Sequence, residues 1–218
     1  MANPSIAELK NEEQFELIAE LNHQQIKDFI YERLEENGKM VRAYMFYQIA
    51  MILFGLFFVS RAIILAIKHF SEPLIISVAT LLFSFTLLVI IHELLHGLAM
   101  KFTDASNITF GGNLKKFVFF TEADRHVLNR KQFALVALTP LVVVKVISLA
   151  GIIFTFHQPW VYFWIILMST HSLFCAGDVG LLSLFYNEKD EEIFTYDVKE
   201  EKKSYFYRKV QEEMKNDV

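Results

Sequence analysis

The sequence predicts an all-α integral membrane protein: four transmembrane helices, both termini cytoplasmic, an N-terminal amphipathic helix and a short cytoplasmic β-hairpin between the second and third spans. Three observations carry that prediction. Of 218 residues, 54% are hydrophobic and 15% aromatic, with 22 Phe, a composition far from that of an ordinary soluble domain. Charged residues are sparse in four stretches, near 44–67, 74–100, 133–156 and 160–185, each at or above the roughly 20 residues that cross a bilayer. Lys and Arg number five before the first stretch, two in or after it (Arg61 and Lys68), six between the second and third, none in the next loop and seven after Phe185. That alternation follows the positive-inside rule.

The first 42 residues are polar and rich in Glu. Apolar Ile6, Leu9, Phe15, Leu17, Ile18, Leu21, Ile26, Phe29, Ile30 and Leu34, with acids between them, give the spacing of one or two amphipathic helices up to Glu36. Ser5, three residues before Glu8, is placed to cap the first. The segment has no basic start, short apolar core and small-residue cleavage site of a secretory signal, so the N-terminus is expected to stay in the cytoplasm.

Residues 43–186 form the four-span membrane domain. In the loop between spans two and three, strand-like runs begin at Ile108 and Lys116 around Gly111-Gly112, a hairpin signal whose exposed edge suits strand addition by an extended peptide. His157, Gln158 and Pro159 separate the last two spans, which makes them an antiparallel pair with Trp160 and Tyr162 at the water interface. Residues 187–218 read as a charged cytoplasmic tail.

Several classes are excluded. A net charge of -4 leaves no basic footprint for nucleic acid. The single cysteine, Cys175, forbids an intramolecular disulfide. The chain contains no glycine-rich phosphate loop.

The chemistry concentrates at the end of span two, His92-Glu93-Leu94-Leu95-His96. Histidines one helical turn apart put both imidazoles on one face for a single metal ion, and the glutamate beside the first is in reach of water at that metal. Two histidines and a glutamate are costly within an apolar helix, so they need partners there. The alternative is a set of polar residues bonding between helices.

A catalytic zinc usually takes three protein ligands and keeps one position open. Asp178 lies 18 residues after Trp160 on span four, and His92 lies 18 after Leu74 on span two. Both helices run inward, so at 1.5 Å per residue both side chains sit roughly 27 Å from the outer start. His171, seven residues before Asp178, and Cys175, one turn before it, are alternative ligands on nearly the same face. The other role open to His171 is a hydrogen bond that orients a metal-binding side chain from behind. Gly177 and Gly180 beside Asp178 would admit a helix or a substrate backbone. Pro140 in span three frees the carbonyl of Val136. Lys145 near mid-bilayer is read as snorkelling or pairing, with oxyanion stabilisation as the alternative. His23, His69, His126 and His157 are read as solvated.

HELLHG closing one span, Leu138-Thr139-Pro140 in the next and Ala176-Gly177-Asp178 in the last together resemble a bacterial membrane family of zincin peptidases, itself similar to the site-2 intramembrane metalloproteases. The likeness covers roughly residues 40 to 190. It implies Zn2+ held by His92, His96 and Asp178, Glu93 as general base, and a membrane protein or peptide substrate cleaved within or beside a bacterial plasma membrane. The stretch before Asp178 lacks the Asn, Pro and DG pair of the site-2 pattern. Two other classes remain beside the peptidase: a catalytically inactive metal-binding membrane scaffold, and a small transporter, which four spans without an inverted repeat disfavour.

Overall fold

The computed structural model describes residues 3–22, 38–113, 118–186 and 192–210. Their elements, in order, are α1 (Ile6–Leu9), β1 (Phe15–Asn22), α2 (Lys39–Ile67), α3 (Glu72–Lys101), β2 (Ile108–Asn113), β3 (Val118–Ala123), β4 (Leu128–Asn129), α4 (Arg130–Phe154), α5 (Val161–Phe174), α6 (Ala176–Ser183), β5 (Ile193–Val198) and β6 (Lys203–Lys209).

Helices α2, α3 and α4 are each long and apolar enough to cross a membrane. The fourth predicted span is a pair, α5 and then α6 with its 3-10 extension to Tyr186, bent by 41° at Cys175. The bundle bares large apolar side chains such as Phe46, Ile67 and Phe154, each more than 70% exposed. That surface suits lipid. The inner seams use small residues: Ser169 packs on Gly55 and Trp164 packs on Gly151.

α3 contains one π-helical segment, Ser84–Leu88, ending one turn before His92. Extra residues of this kind re-phase the helix downstream and recur near functional sites. At the bend after α5 the regular run of helical backbone bonds is interrupted, and Tyr44 donates its hydroxyl to the carbonyl of Ser172 at 2.7 Å.

The fold is not all-α. Residues expected in an amphipathic helix instead form the short α1 and the strand β1, and residues expected in a charged tail form the hairpin β5–β6. They join in an antiparallel sheet of order β1-β6-β5-β4. The Ser5–Glu8 capping box is present, but α1 stops at Leu9. From Phe15 onward, Phe15 and Leu21 turn into the core while Glu16 and Glu20 pair with Arg208 and Lys203 of β6. Pairing across strands overrides the local helical spacing. In the tail, aromatics separated by charges carry the strand pattern: Tyr196, Phe206 and Tyr207 are buried. The remainder of the predicted N-terminal helix, including His23, lies outside the described residues.

β2 and β3 form the expected hairpin, in a sheet of their own. Its turn is not at Gly111-Gly112. Both glycines lie inside β2, and the connection from residue 114 to 117 is outside the described residues. The reason is steric: a Cβ at Gly111 would come within 2.4 Å of the Phe120 ring, so the missing side chain makes room for a cross-strand aromatic. Gly97, which follows the HExxH motif, does the same for Phe110, whose ring would lie 2.6 Å from a Cβ there. The hairpin is thereby seated on α3.

β4 runs directly into α4, and Asn129 caps that helix through the amides of Lys131 and Gln132. Asn3 ties the N-terminal segment to the same corner, bonding Val127 O, Gln132 Oε1 and Asn129 Nδ2. Phe133 of α4 stacks on Phe185 at 4.7 Å, and both touch Phe206 of β6. The four-stranded sheet is therefore fastened to one end of the bundle, the end that holds the motif.

Candidate metal centre

His92 and His96 lie four residues apart on α3 and are both buried. Their Nε2 atoms are 3.1 Å apart. Asp178, in the first turn of α6, spans them: Oδ2 is 3.3 Å from His92 Nε2 and Oδ1 is 3.3 Å from His96 Nε2. The bend at Cys175 starts α6 afresh just before this aspartate, and because α3 and the α5–α6 pair run the same way, with α4 between them in the chain, the aspartate comes level with the motif.

These separations suit one small cation. Four ligands at ~2.0–2.1 Å in a tetrahedron lie about 3.3–3.4 Å from one another. Asp178 Oδ2 is moreover buried without a hydrogen-bond partner, an arrangement that a cation would compensate. The residues fit a zinc ion, for which His92, His96 and Asp178 could supply three donors.

Each histidine is held through its other ring nitrogen. His92 Nδ1 lies 3.1 Å from His171 Nε2. His96 Nδ1 lies 2.9 Å from the carbonyl oxygen of Val136. Outer contacts of this kind set tautomer and ring orientation at metal sites. His171 thus stands behind His92, on the side away from Asp178, and Cys175 lies behind His171, its Sγ 3.6 Å from Nδ1. A second group, His92, His171 and Cys175, is also close enough to hold an ion, but it would take the nitrogen of His92 that faces His171.

Glu93 points toward the hairpin. Thr121 of β3 donates its hydroxyl to Glu93 Oε2 at 2.8 Å and also contacts the Glu93 carbonyl at 2.9 Å. Sequence reasoning missed Thr121, since a threonine in a strand carries no signal of its own. Glu93, His92, His96, Asp178 and Gly177 line a cavity of about 960 Å³ between the bundle, the hairpin and the four-stranded sheet. At Gly177 a Cβ would meet nothing within 4 Å, so the backbone beside Asp178 is open to a ligand.

The reading of one residue changes, and for another the alternative falls away. His126 is not simply solvated: it lines the cavity and lies 3.2 Å from Thr103 Oγ1. Its place just before β4 draws it under the sheet, a fold-level fact invisible in the chain. Lys145 takes no part in the centre. It bonds the Tyr47 hydroxyl, sits 4.5 Å from the centroid of that ring and lies 3.8 Å from Met51 Sδ, which satisfies an ammonium inside an apolar bundle. His69 and His157 are exposed, as expected of solvated side chains.

A family described as "Putative zincin peptidase" matches residues 85–193. The chain belongs to that family. The matched region runs from α3 through the hairpin and α4 to the start of β5 and contains every residue of the centre. No curated protein and no solved structure matches the chain.

Proposed function

We propose that the protein is a zinc-dependent endopeptidase of a bacterial plasma membrane, with both termini cytoplasmic, that hydrolyses peptide bonds of membrane proteins or peptides within or beside the bilayer. One observation carries the reading: two imidazole nitrogens and a carboxylate converge within 3.3 Å on the wall of a cavity that the Glu93 carboxylate also lines.

His92, His96 and Asp178 would hold the ion. A zinc ion bound there supplies a Lewis acid that acidifies water and polarises a carbonyl. Glu93, oriented by Thr121, takes the proton of the attacking water as its oxygen bonds to the scissile carbon. It then returns that proton to the amine nitrogen as the C–N bond breaks. The open face at Gly177 gives an extended substrate room beside Asp178. The hairpin, adjacent to Glu93, is placed to hold that substrate as an added strand.

A scaffold with a structural zinc would normally fill four protein positions. His171 and Cys175 are the residues able to supply a fourth donor, and His171 is engaged with His92 Nδ1 instead. That geometry favours a site with an open position.

The reading is tested by reconstituting the purified protein in vesicles with zinc and a panel of single-span peptides, then sequencing fragments by mass spectrometry. Wild type is expected to cleave at least one peptide near its cytoplasmic end, and Glu93→Gln to cleave none. Equal fragments from both proteins, or none from either, would contradict it.

A further inference from the structure

In an α-helix the carbonyl of residue i accepts from the amide of residue i+4. For Val136 in α4 that partner is position 140, and Pro140 has no N–H to give. Both residues are buried, Val136 at 5% exposure and Pro140 below 2%. A carbonyl orphaned in such a place must find another donor, and in membrane helices neighbouring elements provide it.

Here the donor comes from the metal centre, His96 Nδ1 at 2.9 Å. Because a carbonyl only accepts, this contact puts the imidazole proton on Nδ1 and leaves the Nε2 lone pair free. Nε2 is the atom that faces Asp178 Oδ1 and His92 Nε2, at 3.3 and 3.1 Å. A proline in the interior of a 25-residue helix costs helix stability, yet α4 runs unbroken from Arg130 to Phe154.

We propose that Pro140 is a positioning residue for the metal centre: by withholding one backbone N–H it reserves the Val136 carbonyl for His96 and so presents His96 Nε2 as a ligand. The inference rests on the metal-site reading above and extends it to a residue that touches neither metal nor substrate. His92 obtains the same service from a side chain, His171. His96 obtains it from a gap in a neighbouring helix.

The test compares zinc affinity, by competition with a fluorescent chelator, for the detergent-purified wild type, Pro140→Ala, and a protein carrying lactate in place of Pro140, whose backbone ester also lacks an N–H. Alanine restores the helical bond, so the apo protein should melt at higher temperature while its zinc dissociation constant rises about 10- to 100-fold, the usual cost of losing an outer-shell contact. The lactate protein should keep wild-type affinity. Cobalt substitution, read by its visible spectrum, should give a wild-type band for lactate and a shifted one for alanine. A Pro140→Ala protein that binds zinc like wild type, or a lactate protein weakened as much as alanine, would overturn the inference while leaving the metal centre standing. Absence of zinc binding in wild type would overturn both.

Discussion

The two ends of the helical bundle are built on different principles. At the end away from the sheets, Ala62, Ile76, Val161, Tyr162 and Ile165 form an apolar cluster edged by Phe58, whose ring meets Tyr162 edge-on at 5.5 Å. Contact there is close packing of small and aromatic side chains. At the sheet end the same helices bury two imidazoles, bring a carboxylate against them and leave a cavity of about 960 Å³. Several polar atoms there find partners through a helix break, a proline without an N–H and a hairpin, while Asp178 Oδ2 stays without one. One end supplies cohesion and the other gives some of it up to hold reactive groups in register, a division expected where a site needs groups that a core would reject.

If that division is right, mutations at the two ends should separate activity from stability. The largest effect on activity should come from Glu93→Gln, which removes the proton carrier and should lower turnover by about 10³-fold with the fold intact; peptide hydrolysis and circular dichroism measure the two. Next is Gly97→Val. Any Cβ there collides with the tip of the Phe110 ring, so that ring must leave its seat on α3 and loosen the hairpin's contact with the helix. Activity should fall about 10²-fold while zinc content stays at wild-type level, and a loss of zinc instead would mean that the hairpin holds the metal ligands as well. Thr121→Val removes only the hydroxyl that orients Glu93 and should cost about 10-fold in kcat with KM unchanged.

At the far end, Gly151→Ala places a Cβ 2.2 Å from the Trp164 ring. It should cost about 1–3 kcal/mol in unfolding measurements and leave the activity of the folded fraction unchanged. If it instead lowers kcat as strongly as Gly97→Val, the two ends are coupled and the comparison fails.

Much of the bundle end of this account was legible in the chain. Long apolar runs have no other destination than a membrane-type helix, and the i, i+4 histidines of HELLH fix their own relative geometry, since a helix allows no other. Asp178 could be placed beside them because helical rise converts residue counts into depth. Even the freed Val136 carbonyl followed from Pro140, although its recipient did not.

The terminal segments were opaque for an equally physical reason. Phe15 to Asn22 carries apolar residues at spacings that suit a helix as well as a strand, and what decides is β6, some 190 residues away, with Arg208 facing Glu16. Thr121 and His126 acquire roles only when the hairpin and the sheet are folded against α3. Gly111-Gly112 misled because glycine marks close backbone approach as well as turns, and here it marks room for the Phe120 ring.

In the proposed reading, His92, His96 and Asp178 hold a single catalytic ion beside Glu93. Metal content by mass spectrometry on detergent-purified protein tests it most directly, with wild type compared against His92→Ala, Asp178→Ala and Glu93→Gln. The account predicts one zinc per chain in wild type and Glu93→Gln, and loss of zinc in the other two. Wild type without stoichiometric metal under non-chelating conditions, or Asp178→Ala with zinc retained, would contradict it.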